Sequence, residues 1–350
     1  MIRRYFTQGI LLCALAWLAV AGSGCSPAPE PELAAVTPTV TFTFTQTPTP
    51  SPIPTSSSTP TASPVPSSTV TPTPTTTATP VPAVLIGAGD IAYCSDSYLG
   101  DDYTAQVIAQ LVARFPQAQL FTTGDNVQGE GNAWEYRDCF NPTWGQFLER
   151  IHPVPGNHDY MTDNGGNYFQ YFGAAAGPPG LGYYSYDLNG WHIVALNSNC
   201  NQISCVEGSA QVNWLRQDLA DNRQTCTLMY WHDPRWSSGL AGSIPAADTF
   251  WRIAAEFGVE GVVNGNDHDY ERFAPQNAAG EADPHGVREF VVGTGGEPER
   301  GWGKILPNSE ARNNDTWGVL AFSLYPGRYE WQFYPVAGGT FQDSGSGTCH

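Results

Sequence analysis

Lysine is almost missing from this 350-residue chain. The one present is Lys304, and 15 basic residues face 33 acidic ones, for a formal net charge of −18. A broad basic face for holding nucleic acid is therefore excluded. The closely spaced cysteine pairs of a zinc–thiolate site are also missing. The glycine-rich stretch GTGGEP (293–298) lacks the Lys-Ser/Thr of a nucleotide P-loop, which leaves the reading of a turn at the rim of a site.

No apolar run is long enough to cross a bilayer comfortably. The longest, residues 10–20, follows Arg3 and Arg4 and precedes small residues and Cys25, so residues 1–25 read as an export signal. Small residues before a cysteine resemble a bacterial lipoprotein signal, with Cys25 as the lipid-bearing terminus. Gly22 stands where leucine is usual, and plain secretion is the alternative. The expected location is extracellular or at the cell surface, with a lipid anchor as the one possible membrane contact. Residues 26–82 are Pro, Thr and Ser with almost no charge. Such a segment buries too little surface to offset its ordering entropy, and it reads as a disordered linker or stalk. Residues 83–350, about 270 in number, suffice for one domain with a real core.

Beyond the signal stand Cys25 and six other cysteines: Cys94, Cys139, Cys200, Cys205, Cys226 and Cys349. In an exported chain they point to disulfides. Cys200–Cys205 would close a short loop, Cys226–Cys349 would tie down the tail, and Cys94–Cys139 would remain; the spacing alone does not decide the pairing.

The stretch AVLIGAG (83–89) reads as a buried strand ending at Asp90, followed by helical spacing at Val107, Ile108, Leu111, Val112 and Phe115. QLFTT (119–123) ends at Asp125, and IHPVPGNHD (151–159) ends likewise in polar residues. Asn189-Gly190 marks a hairpin turn with the alternating WHIVAL behind it. TLMYWHD (227–233) and residues 259–268 bracket the helix TFWRIAAEF, and β-structure follows near residues 289–293, 319–325 and 329–334. The order describes an α/β sandwich of two sheets.

Five strands thus stop at polar clusters: Asp90; Asp125; Asn157-His158-Asp159; His232-Asp233; and Asn266-Asp267-His268. In α/β folds, ligands gather beyond the carboxyl ends of strands, so the five should meet. Oxygen donors with imidazole suit a two-ion site for Zn, Mn or Fe, in which one carboxylate bridges ions about 3.5–4 Å apart. Singly, a Gly-Asp is more often a turn, and a lone histidine is as often packed as ligating. Arg235 could grip a phosphate through its fork of donors or sit in a surface salt bridge.

GDIAY, GDN, PVPGNHDY, YWHDPRWSSG and GNDHDYER together resemble the successive motifs of the calcineurin-like metallophosphoesterases, nearest the purple-acid-phosphatase branch. The resemblance covers residues 83–350. It implies a four-layer αββα sandwich of two mixed β-sheets flanked by helices, and hydrolysis of phosphoesters at a dinuclear centre. It assigns Asp90, Asp125 and His268 to the first metal, and Asp125 as bridge with Asn157 and His232 to the second. His158 would face the phosphoryl group and protonate the leaving oxygen, with Asp159 either orienting it or capping the following loop.

Two positions depart from the family pattern. Asn266 replaces a histidine of the second site, which shifts that site toward hard oxygen donors and toward Mn, Mg or Ca at lower affinity. Asp267 could substitute only by rotating against strand alternation. Two functions follow: a phosphomono- or diesterase acting on small-molecule or protein esters with a weakened second ion, or an exported binding or structural domain that turns over little. Nothing in the sequence fixes the substrate or the oligomeric state. Gln128 stands where the purple branch has tyrosine, at the metal's edge. Without a phenolate there is no charge-transfer band, so the iron-loaded protein is expected to be colourless; visible absorption from the purified protein would contradict this.

Overall fold

The computed structural model describes residues 81–350 apart from Asp96, Arg223 and Thr225. The expected signal, linker and Cys25 lie outside the described residues. Within them, no helix is long and apolar enough to cross a membrane.

The chain runs β1 (Ala83–Ala88), α1 (Gly100–Arg114), β2 (Gln119–Thr122), α2 (Ala133–Glu135), β3 (Ile151–Pro153), α3 (Gly166–Phe172), β4 (Tyr184–Leu188), β5 (Trp191–Ala195), α4 (Ala210–Asp221), β6 (Cys226–Tyr230), α5 (Asp248–Glu256) and β7 (Gly261–Asn264). It continues as β8 (Tyr270–Phe273), β9 (Arg288–Val292), β10 (Ser309–Asn313), β11 (Gly318–Tyr325), β12 (Arg328–Pro335) and β13 (Ser344–Thr348). One sheet has the order β13-β12-β11-β1-β2-β3 and the other β10-β8-β9-β7-β6-β5-β4. Both are mixed. β1, β2 and β3 are parallel, as are β5, β6, β7 and β9, while the remaining pairs are antiparallel.

Strand alternation divides the core. In β6, Leu228 and Tyr230 point toward the first sheet, whereas Met229 and the following Trp231 join a cluster with Leu215 of α4 and Trp251 of α5. Between the sheets, Phe121 meets Tyr230 at 5.5 Å and Phe290 meets Phe322 at 5.4 Å between ring centres. Helix α1 buries Val107, Ile108 and Leu111 on the other side of the first sheet. This is the four-layer arrangement that the resemblance implied. Three disulfides close it: Cys94–Cys139, Cys200–Cys205 and Cys226–Cys349. The last joins the start of β6 to the residue after β13, and so links the two sheets across 123 residues of sequence.

Parallel pairing levels the strand ends. Ala88 lies beside Thr122 and Thr122 beside Pro153, so β1, β2 and β3 deliver their following loops at one height. The loop after β6 is fixed by three buried carboxyls from neighbouring chain. Glu289 accepts the Arg235 and Trp236 amides, Glu271 the Ser238 amide, and Asp267 the Ala241 and Gly242 amides together with the Ser237 hydroxyl. Asp267 is thereby committed and does not rotate toward a metal.

Burial pushes the Glu289 carboxyl from an ordinary 4.5 to about 8, against the pull of the Trp236 and Arg235 amides. A group whose folded pKa is raised contributes stability that is full below its unfolded pKa and lost as pH rises through the folded one. Glu260, raised by burial to about 7, acts in the same direction. The thermal midpoint of the metal-free protein is therefore expected to fall between about pH 5 and pH 9, and Glu289→Gln to flatten that slope. An unchanged slope, read by circular dichroism melts, would contradict it.

Candidate metal centre

Asp90, Asp125 and His232 each bring one ligand atom to within 4.8 Å of the others, and all three are buried. Asp90 and Asp125 stand in left-handed backbone, with φ of 57° and 46°, as does Asn266 at 68°. Asp and Asn tolerate that region better than most side chains, and it turns the chain sharply at each strand end. Gly124 and Gly156 permit the close approach: a side-chain carbon on Gly124 would lie 2.7 Å from His232 Nδ1, and one on Gly156 2.1 Å from Asp125 Oδ1.

His232 Nδ1 lies 2.8 Å from the Thr123 carbonyl, and Nε2 lies 3.4 Å from Asp125 Oδ2 and 3.1 Å from Asn157 Oδ1. A carbonyl only accepts, so Nδ1 carries a proton and Nε2 faces two oxygen acceptors. Three lone pairs converging beside two buried side chains repel unless a proton or a metal ion stands among them. His268 repeats the pattern, with Nδ1 3.0 Å from the Pro298 carbonyl and Nε2 3.5 Å from Asp90 Oδ1. The donor set fits a divalent cation.

Electrostatics agree. Burial opposes charge on His232, yet the Asp125 carboxylate beside it prevails and lifts the imidazole above its ordinary range. Asp125 is held low in return, burial being outweighed by His232. Asp90 is pushed up by burial, with His232 opposing and Asp125 adding. His268 is driven down to about 4 by burial and then by the Arg300 guanidinium, which leaves its imidazole neutral and its lone pair free. Asp125 and His232 thus favour each other's charged forms, and an entering cation would take the place of the His232 proton between them.

The other expected residues fall around this group. Gln128 donates from Nε2 to Asp90 Oδ1 at 3.3 Å, in place of any phenolate. Asn266 donates its backbone amide to Asp90 Oδ2 at 2.9 Å, and with Asn157 it lines a neighbouring cavity. His158 donates its backbone amide to Asp125 Oδ1 at 2.8 Å; its Nδ1 is 2.7 Å from the Gly129 carbonyl and its Nε2 3.9 Å from Asp125 Oδ2. A quarter of that side chain is exposed, so the imidazole stands at the open face of the cluster.

Two expectations need correcting. Asp159 does not orient His158. Its Oδ2 accepts the Asn126 backbone and side-chain amides and the Gly156 amide, and its Oδ1 accepts the Tyr136 hydroxyl at 2.5 Å. Fully buried, it fixes the loops after β2 and β3, nearer the capping alternative. Arg235 does not face the centre either: its Nε donates to Asp248 Oδ1 at 2.9 Å and its guanidinium stacks 3.9 Å from the Trp236 ring centre.

The loop after β9 contributes what sequence reading missed. The Glu297 amide donates to the Asp90 carbonyl and the Arg300 amide to the His268 carbonyl, both at 3.0 Å, so this loop positions both candidate ligands as well as the His268 ring. Glu297 Oε2 is buried without a partner, and burial raises its carboxyl to about 7, with Arg300 opposing and Asp125 adding. Carbonyl partners leave no mark in a sequence, but Glu297 stood in plain view within the glycine-rich stretch 293–298.

An αββα sandwich with carboxylates and imidazoles gathered at its levelled strand ends defines a class of metal-binding hydrolase folds. Residues 89–270, just over half of the chain, match the calcineurin-like phosphoesterases, and the chain belongs to that family. No curated protein sequence matches it. Among solved structures it is similar to the purple acid phosphatase PPD1 from yellow lupin (Lupinus luteus) seeds. There the TM-score is 0.62 at 15% identity, covering 75% of this chain and 53% of that one. It is also similar to GAP50, the anchor in the inner membrane complex of Plasmodium, with TM-score 0.59, 12% identity, and 77% and 90% of the two chains covered. At such identities the likeness is one of fold. The chain spans about half the length of the lupin enzyme.

Proposed function

We propose that this chain is an exported hydrolase of phosphoric esters that works with two divalent ions, the second held more weakly than the first. The observation that carries this is the convergence of Asn157 Oδ1, at the cavity wall, with His232 Nε2 and Asp125 Oδ2 of two buried side chains. Asp90, Asp125 and His268 would hold the first ion, Zn, Mn or Fe. Asp125, Asn157, His232 and Asn266 would hold the second, with Mn, Mg or Ca favoured by the two amide oxygens. Bound there, such ions supply a water of lowered pKa and polarise the phosphoryl oxygens.

The protein's own residues do the remainder. The carbonyls of Thr123 and Pro298 fix the ligand imidazoles, and Gln128 steadies Asp90. His158, partly exposed with Nδ1 held by the Gly129 carbonyl and Nε2 3.9 Å from Asp125 Oδ2, would in its imidazolium form donate the Nε2 proton to a leaving alkoxide. Three disulfides support export, because such bonds persist in oxidising compartments. Lipidation at Cys25 belongs to the same proposal.

A second reading, a binding or structural domain with one metal, rests on Asn266: its contact with Asp90 is through the backbone, and an amide is a weak substitute for imidazole. The Plasmodium neighbour, an anchor, has this fold too. Turnover of p-nitrophenyl phosphate and bis-p-nitrophenyl phosphate by Mn-loaded protein separates the two. His158→Ala is expected to lower kcat by about 10²–10⁴ with metal content unchanged. No hydrolysis of either ester by the loaded wild type, with Asn266→His gaining it, would favour the second reading.

A further inference from the structure

A cavity of about 620 Å³ opens beside the metal centre, with Asn157 and Asn266 forming the wall nearest the ligands. That volume lies in the range of small-molecule sites. Its second wall is the loop from Ser198 to Gln202. The Cys200–Cys205 disulfide pins this loop, and Asn199 Nδ2 donates to the Pro155 carbonyl at 3.1 Å. Its third wall is apolar, with Ala241, Ile244 and Ala246, on the loop that the Asp267 carboxylate holds through the Ala241 amide at 2.7 Å. Two walls are thus fixed before anything binds.

The chemistry of the lining is distinctive. Among the described residues it includes no lysine, arginine or histidine, and Asp233 is its one acid. The side-chain amides of Asn201 and Gln202 make no hydrogen bond to the rest of the described protein, so each has donors and an acceptor to offer. Free amides above an apolar floor suit hydroxyls on an uncharged body. A second phosphate would enter beside Asp233 with no counter-charge, on a chain of net charge −18, which is costly.

We propose that this cavity receives the alcohol portion of the substrate and selects monophosphate esters of uncharged, hydroxyl-bearing groups up to nucleoside size over esters carrying further phosphates. The inference rests on the hydrolase reading above. In that reaction the ester P–O bond breaks, water oxygen forms the new bond to phosphorus, and the alcohol leaves with a proton into this space.

The test uses the full chain loaded with Mn, with adenosine 5′-monophosphate, fructose 1,6-bisphosphate and inositol hexakisphosphate as substrates. The monophosphate is expected to exceed both others at least tenfold in kcat/KM. Asn201→Lys, an exposed change away from the ligands, is expected to narrow that ratio at least fivefold through KM at unchanged metal content. Equal or better use of the polyanionic esters by the wild type, or a ratio untouched by Asn201→Lys, overturns the inference. Should no ester be hydrolysed, the hydrolase reading fails, and calorimetric binding of the same three compounds decides the cavity's preference. Tighter binding of the monophosphate then supports it, and tighter binding of the hexakisphosphate, or no binding of the monophosphate, overturns it.

Discussion

Burying two carboxylates and two imidazoles at one point costs several kcal/mol per uncompensated charge. The rest of the molecule is arranged around that cost. Asp90 and Asp125 sit in left-handed backbone at the ends of adjacent parallel strands, and His232 and His268 come from the opposing sheet. Backbone carbonyls at Thr123 and Pro298 take the Nδ1 protons, so both Nε2 atoms turn toward carboxylate oxygen. A cation among these atoms would replace the proton shared by His232 and Asp125 and would link the strand ends to metal binding.

The surrounding acids have a different task. Asp159, Asp267, Glu271 and Glu289 are buried, yet each spends its oxygens on amides or hydroxyls of the loops that carry or flank the candidate ligands. Asp269 is the exception: both its oxygens are buried without partners, and burial, with Asp267, Glu271 and Asp90 adding, raises its carboxyl to about 9. It remains protonated under ordinary conditions, which spares the region another negative charge.

Much of this was legible because each strand end announces itself locally: an apolar run, then Asp90, Asp125, Asn157, His232 or His268. The Asn189-Gly190 hairpin was legible for the same reason, and both residues have positive φ. What escaped depended on partners remote in sequence. Arg235 reads as a phosphate grip until Asp248 and Trp236 claim it, and Asp159 as an orienter until Tyr136 does. The strands Ser309–Asn313 and Ser344–Thr348 escaped because SEARN has no β-branched or aromatic residue and SGSGT only its last, Thr348; both lie at sheet edges.

The most direct test of the central claim is calorimetric titration of Mn or Zn into chelator-stripped protein, run in buffers of different ionisation enthalpy. The account predicts saturable uptake with release of a proton, because His232 surrenders the one that Asp125 holds on it, and loss of that uptake in Asp125→Asn. Absence of binding, or binding that Asp125→Asn leaves intact, would contradict it.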